Sequence, residues 1–231
     1  MNRDNAERPP LRLTRKQLAR MIDHTQLRAY ATQLDITELC DEAVGLGFAA
    51  VSINPVWTSY CAKRLAGTSV IVDPTVGFPL GANTARIKIE EAKEAVRCGA
   101  QELDMVINIG ALKSGFPDYV EKEIAGVVRA VRGVPVKVIL ETSYLTTEEK
   151  IAVCEVSLRS GAAFVKTSTG FGEAGATVQD VALMHEVVGG QMGIKAAGGV
   201  RTYGDAIALI EAGATRIGTS TGQNIIEAAP Q

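Results

Sequence analysis

The stretch GAAFVKTSTGFG, residues 161–172, places a glycine directly before a short apolar segment that contains a lysine. A similar start recurs as GFAAVS from residue 47, GAQELD from residue 99 and GATRIG from residue 213. A glycine here tolerates the positive φ that ends a helix, so each copy indicates a passage from helix to strand. The copies are 52, 62 and 52 residues apart, about the length of two βα units. The repeat therefore predicts strands two, four, six and eight of an eight-stranded sheet.

Short β-branched segments alternate with longer amphipathic segments from about residue 20 to the end of the chain. Such alternation is typical of βα units around a parallel sheet, and barrels of this kind commonly form one domain of about 200–250 residues. The sequence predicts an α/β fold, a single (β/α)₈ TIM barrel with an N-terminal helix in LTRKQLARM. We expect residues 1–12 to be a disordered tail and residues 13–231 to be one domain. The expected strands are MIDHT (21–25), AAVSIN (49–54), SVIVDPTV (69–76), ELDMVIN (102–108), VKVILET (136–142), AFVKTST (163–169), GIKAAG (193–198) and RIGTS (216–220).

The composition favours a small ligand. The formal charge of −2 on 231 residues indicates neither nucleic acid nor an acidic membrane surface as a partner. No apolar run approaches the roughly 18 residues that span a bilayer, and the polar start has no signal-peptide core, so we expect a cytoplasmic protein. The four cysteines form no CxxC pair and are expected to be reduced thiols rather than zinc ligands.

The lysine of the opening stretch, Lys166, is unusual for its place in a strand. Phe164, Lys166 and Ser168 share one face of the expected strand, whereas Val165 and Thr167 share the other. A packed stem with the amine at the surface is the ordinary arrangement of such a lysine. In a barrel, however, helices cover the outer face, so the more polar face points into the interior, where an unpaired ammonium is expensive. Lys166 is therefore expected to need a partner.

The repeat supplies that partner. The fifth residue after each glycine is Ser52, Asp104, Lys166 or Gly218. Alternate strands of a (β/α)₈ barrel contribute the members of one interior layer. We therefore expect Asp104 to lie beside Lys166.

The opening stretch also contains the pattern G-x-G-x-x-G at Gly170, Gly172 and Gly175. A dinucleotide site needs this pattern after an early apolar strand, with an acidic residue about 20 positions further on. Here the pattern follows the sixth strand, and the residue 20 positions after Gly170 is Gly190. Nucleotide-dependent dehydrogenase activity is therefore the weaker interpretation.

A second lysine, Lys195 in GIKAAGGVR, lies on the seventh strand among small apolar residues. Only a neutral amine attacks a carbonyl, and a free lysine with a pKa of about 10.4 is almost wholly charged at pH 7. Burial and a second cation both favour the neutral form. Two inward lysines on adjacent strands suggest a nucleophile and a neighbour that lowers its pKa. The glycine-rich loops GGVR and GTSTG follow strands seven and eight, where barrels of this kind commonly bind phosphate.

These segments carry a family resemblance. IDHTQL, VSINP, TVGFPLG, ELDMVINIG, VKVILET, FVKTSTGFG, GIKAAGGVRT and RIGTSTG resemble deoxyribose-phosphate aldolases of the DeoC type, from about residue 20 to residue 222. The resemblance implies a barrel, no cofactor and no metal. It implies reversible cleavage of 2-deoxy-D-ribose 5-phosphate to D-glyceraldehyde 3-phosphate and acetaldehyde by a class I, Schiff-base aldolase. The partners are then a small phosphorylated sugar and acetaldehyde, with no nucleic acid and no membrane, in a homodimer or homotetramer.

The resemblance also implies roles for single residues. Lys166 would form the Schiff base, Lys195 would perturb the pKa of Lys166, and Asp104 would shuttle protons. Asp23, Lys137 and Glu141 match positions that line the pocket, although a buried structural ion pair remains an equal interpretation. The implied phosphate-binding residues are Gly170, Gly198, Gly199, Arg201, Gly218 and Ser220.

Two departures and two alternatives remain open. Some relatives have a lysine where this chain has Phe171, and some end in a tyrosine where this chain ends AAPQ. Phosphate affinity and the group that protonates the enamine are therefore undetermined by the sequence. A different Schiff-base aldolase, or a barrel that binds a phosphosugar with little turnover, would share most of these residues. Activity on a panel of sugar phosphates would identify a different Schiff-base aldolase. Binding of a phosphosugar without turnover would indicate the binding protein.

Overall fold

The computed structural model describes residues 11–230, and most of the expected N-terminal tail lies outside these residues. The backbone N–H of Leu11, within the range expected to be disordered, donates to Glu211 Oε1 at 2.8 Å. In the part of the chain that is described, no helix has both the length and the apolar character needed to cross a bilayer.

Eight parallel strands close into a barrel in the order of the sequence, each bonded to its neighbours and the last to the first. All eight expected strands are present, so the predicted (β/α)₈ barrel is confirmed. The strands are β1 Ile22–Gln26, β2 Ala50–Ile53, β3 Ile71–Val76, β4 Leu103–Val106, β5 Val136–Ile139, β6 Phe164–Lys166, β7 Gly193–Ala197 and β8 Arg216–Thr219.

Helices surround the barrel and connect successive strands. Four of them begin with a reciprocal capping box, in which a threonine side chain and the residue three positions later satisfy each other's backbone N–H groups. The helices are α1 Arg15–Ala19, α2 Gln33–Leu46, α3 Thr58–Arg64, α4 Ala85–Arg97, α5 Ile109–Lys113, α6 Pro117–Ala130, α7 Thr147–Arg159, α8 Val178–Val188, α9 Tyr203–Glu211 and α10 Gly222–Glu227.

Helix α1 is the expected N-terminal helix, and it lies at the N-terminal end of the barrel. Arg15 donates to the carbonyl oxygens of Ala229 and Glu227, which ties α1 to the segment around α10. The C-terminal ends of the strands, where the glycine-rich loops emerge, are at the opposite end. The two ends of the barrel therefore have different tasks, because chemistry in such barrels sits at the C-terminal end.

The four glycines of the repeat, Gly47, Gly99, Gly161 and Gly213, all have positive φ, between 69° and 117°. This confirms the conformation on which the predicted strand positions depended. The strand residues that point outward are buried and apolar and pack against the helices, among them Val51, Val72, Met105, Val138, Val165, Ile194 and Ile217. The inward face instead carries acidic and basic side chains, which is where the chemistry of the molecule is concentrated.

Candidate active site

The interior layer predicted by the repeat brings Lys166 and Asp104 together. Lys166 Nζ lies 2.6 Å from Asp104 Oδ2, and both side chains are almost completely buried. Ser52 contributes from β2, with Oγ 3.4 Å from the same carboxylate oxygen. Gly218 leaves room in the layer, because an added Cβ would lie 3.1 Å from Lys195 Cε. The expected neighbour of Lys166 is therefore present.

Lys195 approaches the same carboxylate from the adjacent strand. Its Nζ lies 2.7 Å from Asp104 Oδ2 and 2.7 Å from Asp23 Oδ2, with Asp73 Oδ2 at 3.1 Å. The β6 and β7 register places Lys166 directly beside Lys195. One carboxylate oxygen of Asp104 is thus shared by two ammonium groups.

The two lysines differ in the number of carboxylates that each contacts. Burial lowers the pKa of Lys166, and the Lys195 charge lowers it further against the opposing attraction of Asp104. Burial also disfavours the charge on Lys195, but Asp104, Asp23 and Asp73 together raise its pKa well above the ordinary value. Lys166 is therefore the lysine that gives up its proton more readily, and Lys195 is the one that stays charged.

The carboxylate between them stays ionised. Burial acts to raise the pKa of Asp104, but Lys137, Lys166 and Lys195 lower it well below the ordinary range. A group of this kind accepts hydrogen bonds and stabilises positive charge. It lies within direct reach of Lys166 Nζ, the atom at which a cationic Schiff base would form.

A second group of charges lies deeper in the barrel. Lys137 Nζ lies 2.8 Å from Asp73 Oδ2, 2.7 Å from Glu102 Oε2 and 3.1 Å from Asp104 Oδ1. Arg216 contacts Asp23 at 2.6 Å and Glu102 at 3.2 Å.

Sequence reasoning did not single out Asp73, Glu102 or Arg216. Period-two alternation was an available signal for one of them, since Glu102 and Asp104 stand two apart on the same face of one strand. The partners of each residue, however, come from strands far apart in sequence. Only the closed barrel shows which carboxylate meets which cation.

Three of these carboxylates, those of Asp23, Asp73 and Glu102, lie close enough together to be considered as ligands of one metal ion. The ammonium of Lys137 lies among them, at 3.9, 2.8 and 2.7 Å respectively. Lys195 and Arg216 also contact the group. The chain's own cations therefore neutralise these carboxylates.

A cavity of about 250 Å³ opens above Lys166 at the C-terminal end of the barrel. Gly198 and Gly199 have φ values of 88° and 77°, a conformation that suits glycine and brings backbone close to the cavity. Phe171, which is 54% exposed, forms part of the rim and stacks edge-on against Phe78 at 5.5 Å. All six residues expected to bind phosphate line this cavity together with Lys166: Gly170, Gly198, Gly199, Arg201, Gly218 and Ser220.

The three residues expected around the pocket do not line that cavity. Asp23 and Lys137 belong to the interior charge network below it. Glu141 lies just beyond β5, where its carboxylate accepts hydrogen bonds from Thr169. The ion pairs of Lys137 are with Asp23, Asp73, Glu102 and Asp104 rather than with Glu141.

A closed (β/α)₈ barrel with a buried lysine of lowered pKa beneath a glycine-lined cavity defines an enzyme equipped to attack a carbonyl group. The model of a family described as DeoC/LacD family aldolase matches residues 18–228. The chain belongs to this family of aldolases.

The chain is similar over more than nine-tenths of its length to curated relatives and to a solved structure. The chain is 56% identical over 216 residues to the deoxyribose-phosphate aldolase of Thermococcus gammatolerans, covering 92% of this chain and 96% of the relative. It is 57% identical over 213 residues to that of Caldanaerobacter subterraneus, covering 91% and 92%. The deoxyribose phosphate aldolase of Aeropyrum pernix, described as a unique tetrameric structure, superposes with a TM-score of 0.88 at 34% identity, covering 93% and 92%.

Proposed function

We propose that this chain is a class I aldolase that reversibly cleaves 2-deoxy-D-ribose 5-phosphate to D-glyceraldehyde 3-phosphate and acetaldehyde. The observation that carries the proposal is the Asp104 carboxylate oxygen shared by Lys166 at 2.6 Å and Lys195 at 2.7 Å. The identity of more than half of the aligned residues with deoxyribose-phosphate aldolases supports the substrate.

Lys166 is the nucleophile. Its neutral amine adds to the C1 aldehyde of the open-chain sugar, which forms a C–N bond and a carbinolamine. Loss of the C1 oxygen as water then gives an iminium cation. Asp104 exchanges protons with the reacting atoms and, as a carboxylate, stabilises the cation. Lys195 stays protonated beside them and keeps the pKa of Lys166 low.

The iminium makes carbon–carbon cleavage possible without a metal, because it accepts the electron pair of the breaking bond. The C3 hydroxyl loses its proton, the C2–C3 bond breaks, and its electron pair forms the enamine. D-Glyceraldehyde 3-phosphate leaves as an aldehyde. Protonation of the enamine at C2 and addition of water then release acetaldehyde and return Lys166 to its starting state.

The cavity above Lys166 accommodates the phosphate. The turns at Gly170, Gly198 and Gly199 line it with backbone, and Arg201 adds a positive charge at its edge. We propose that Gly218 and Ser220 complete the phosphate site. This site would hold the phosphorylated end of the sugar at the mouth, so that C1 faces Lys166.

The assembly is expected to be a homodimer or a homotetramer. The Aeropyrum pernix relative, described as tetrameric, supports an oligomer. Sedimentation equilibrium of the purified chain would separate these states from a monomer.

Borohydride trapping tests the chemistry directly. The wild-type chain with acetaldehyde, reduced in the presence of EDTA, should carry a stable adduct on the peptide that contains Lys166. Lys166→Ala should carry none, whereas Lys63→Ala, which removes an exposed lysine, should trap normally. Trapping that persists in Lys166→Ala, or cleavage of the sugar phosphate that EDTA abolishes, would refute the Schiff base at this residue.

A further inference from the structure

Glu141 has an unusual backbone conformation at the mouth of the barrel. Its φ and ψ are 56° and 66°, in the left-handed region that glycine prefers. Among residues 11–230 it is the one residue other than glycine with a positive φ. A glutamate in this conformation is unfavourable unless its surroundings compensate, and such residues cluster at functional sites.

The side chain of Glu141 shows what the conformation achieves. The carboxylate is buried, with the residue 2% exposed, and it is turned toward the loop that follows β6. Its Oε2 accepts a hydrogen bond from the backbone N–H of Thr169 at 3.2 Å and another from the Thr169 hydroxyl. The Thr169 hydroxyl oxygen in turn accepts from the backbone N–H of Phe171 at 3.0 Å. Two backbone groups of the loop are thus fixed through one carboxylate oxygen.

Gly172 closes the same contact from the other side. A Cβ at this position would lie 2.8 Å from Glu141 Cδ and 2.9 Å from Oε1. The carboxylate therefore packs directly against the backbone of the loop. Residues 169–172 form the turn that we call the Glu141-held turn, and Thr169, Gly170 and Phe171 from this turn line the cavity above Lys166.

From these contacts we propose that Glu141 is a positioning residue that holds the turn of residues 169–172 in the shape that receives the substrate's phosphate. The inference rests on the proposed function for the identity of that phosphate. Glu141 itself neither touches Lys166 nor transfers a proton. Its effect reaches the ligand through the backbone of the turn at Gly170, which lines the cavity and which a displaced turn would move away from it.

Two replacements of Glu141, both without a branch at Cβ, distinguish this positioning role from a proton-transferring role. Glu141→Gln keeps an oxygen that can accept from Thr169, and Glu141→Leu keeps similar bulk without an acceptor. We expect Glu141→Leu to lower kcat/KM for 2-deoxyribose 5-phosphate about tenfold, mainly through KM, the size expected for a charged hydrogen bond. Cleavage of unphosphorylated 2-deoxyribose and borohydride trapping of acetaldehyde should change much less. Glu141→Gln should stay close to wild type.

Two further variants disturb the same contact without changing Glu141. Gly172→Ala should weaken use of the phosphorylated substrate as Glu141→Leu does, because its Cβ meets the carboxylate. Glu141→Ala removes the carboxylate and should itself weaken use of this substrate. In that background, Gly172→Ala should cause little further loss. Thr169→Val should resemble Glu141→Leu, whereas Thr169→Ser, which keeps the hydroxyl, should not. These variants test the contact even where Glu141→Leu folds poorly.

Calorimetric titration with inorganic phosphate provides a measurement that needs no turnover. Phosphate should bind more weakly to Glu141→Leu and Gly172→Ala than to the wild-type chain and to Glu141→Gln. Equal loss with both sugars in Glu141→Leu would overturn the proposal, as would a Glu141→Gln variant as inactive as Glu141→Leu, which would mark a proton-transferring group. Failure of the wild-type chain to cleave 2-deoxyribose 5-phosphate would refute the proposed function, while the phosphate titration would still decide the role of Glu141.

Discussion

Lys166 and Lys195 are both buried lysines, and their carboxylate contacts assign them opposite tasks. Among residues 11–230, Lys166 has one carboxylate within 4 Å, Asp104, whereas Lys195 has three. Each additional carboxylate stabilises the ammonium, so the proton is held at Lys195 and released at Lys166. The difference in how readily the two lysines release a proton thus results from an unequal distribution of carboxylates around two identical side chains.

Replacement of Lys195 should slow Schiff-base formation and shift it to higher pH. Lys195→Met removes the like charge that lowers the pKa of Lys166 and leaves Asp104 to stabilise the Lys166 ammonium more strongly. Because the neutral amine is reactive and the ammonium is not, a raised pKa moves the rising limb of the pH profile upward. We expect kcat/KM at pH 7 to fall about a hundredfold or more, the usual size of a lost acid–base contribution.

The pH dependence of the borohydride-trapping rate measures this shift. Lys63→Met, which removes an exposed lysine and the same formal charge, should leave the profile of the wild-type chain in place. A Lys195→Met profile whose midpoint is unmoved would show that Lys195 does not control the charge of Lys166.

Phe171 occupies the rim of the cavity above Lys166 with an exposed aromatic ring. Phe171→Lys should place a cation at this rim and lower KM for 2-deoxyribose 5-phosphate about two- to fivefold, in line with a solvent-exposed ion pair. KM for unphosphorylated 2-deoxyribose should not fall. Phe171→Met, an apolar side chain without the ring, is the control. Steady-state kinetics at low and high salt complete the test, since high salt should remove the gain.

At the scale of elements, the end of β4 is held by two surrounding helices. Lys88 on α4 pairs with Glu123 on α6 at 2.8 Å, and both side chains are fully buried. Lys88 Nζ donates to the carbonyl oxygen of Val106 at 2.7 Å, while Glu123 accepts from the backbone N–H of Asn108 at 2.9 Å. The pair thus fixes the end of the strand that carries Asp104.

Removal of one member of this pair should cost far more stability than removal of both. Lys88→Met leaves Glu123 buried without its countercharge, and we expect the free energy of unfolding to fall by about 3–5 kcal/mol. The double variant Lys88→Met/Glu123→Leu should recover a large part of this loss, because no uncompensated charge remains. Urea unfolding of the wild-type chain, Lys88→Met and the double variant measures these differences in the free energy of unfolding. A double variant less stable than Lys88→Met would contradict the explanation.

The elements were largely predictable from the sequence because the repeat and the strand alternation are local signals. The same signals placed Ser52, Asp104, Lys166 and Gly218 in one layer. Strand β6 is shorter than predicted, ending at Lys166 rather than residue 169. The last predicted residue, Thr169, leaves the strand for a reason that is not local, since its N–H bonds to the side chain of Glu141 instead of a neighbouring backbone carbonyl.

The interior network was not predictable in the same way. Its pairs join β8 to β1 and to Glu102 just before β4, and β5 to β3 and β4, as the contacts of Arg216 and Lys137 show. The stagger of the closed barrel decides these pairs, and no spacing in the sequence reports it. Glu141 was singled out as a residue near the pocket, but its conformation and its contact with Gly172 require the folded loop.

At the scale of the molecule, the barrel interior balances its charges. Four cations and four carboxylates meet there: Lys137, Lys166, Lys195, Arg216, Asp23, Asp73, Glu102 and Asp104. Buried ion networks of this kind stabilise little relative to an apolar core, but they fail when a single member is left unpaired. The barrel therefore keeps a costly polar interior, which we attribute to the chemistry at Lys166 rather than to stability.

Two carboxylates of this network should respond to pH in opposite directions. Burial and the nearby Asp104 charge raise the pKa of Asp73 to about 6. The folded chain then binds a proton at Asp73 that the unfolded chain has released, so the stabilising effect is greatest at low pH and is lost as pH rises through about 6. The pKa of Asp104 is instead lowered by the three lysines, despite its burial. Its contribution is present above the unfolded value of 3.8 and is lost as pH falls through the folded value.

The variants Asp73→Asn and Asp104→Asn mimic the protonated side chains and make this contrast measurable. Between pH 4 and pH 7, the stability of Asp73→Asn relative to the wild-type chain should improve, because the wild-type chain loses the contribution of protonated Asp73. Asp104→Asn should remain strongly destabilised throughout that range and approach the wild-type chain only in more acidic solution. Urea unfolding at several pH values measures both differences. If the two variants changed in parallel with pH, the lysines would not distinguish the two carboxylates. Lys195 would then lack the arrangement of charges that raises its pKa while the pKa of Lys166 is lowered.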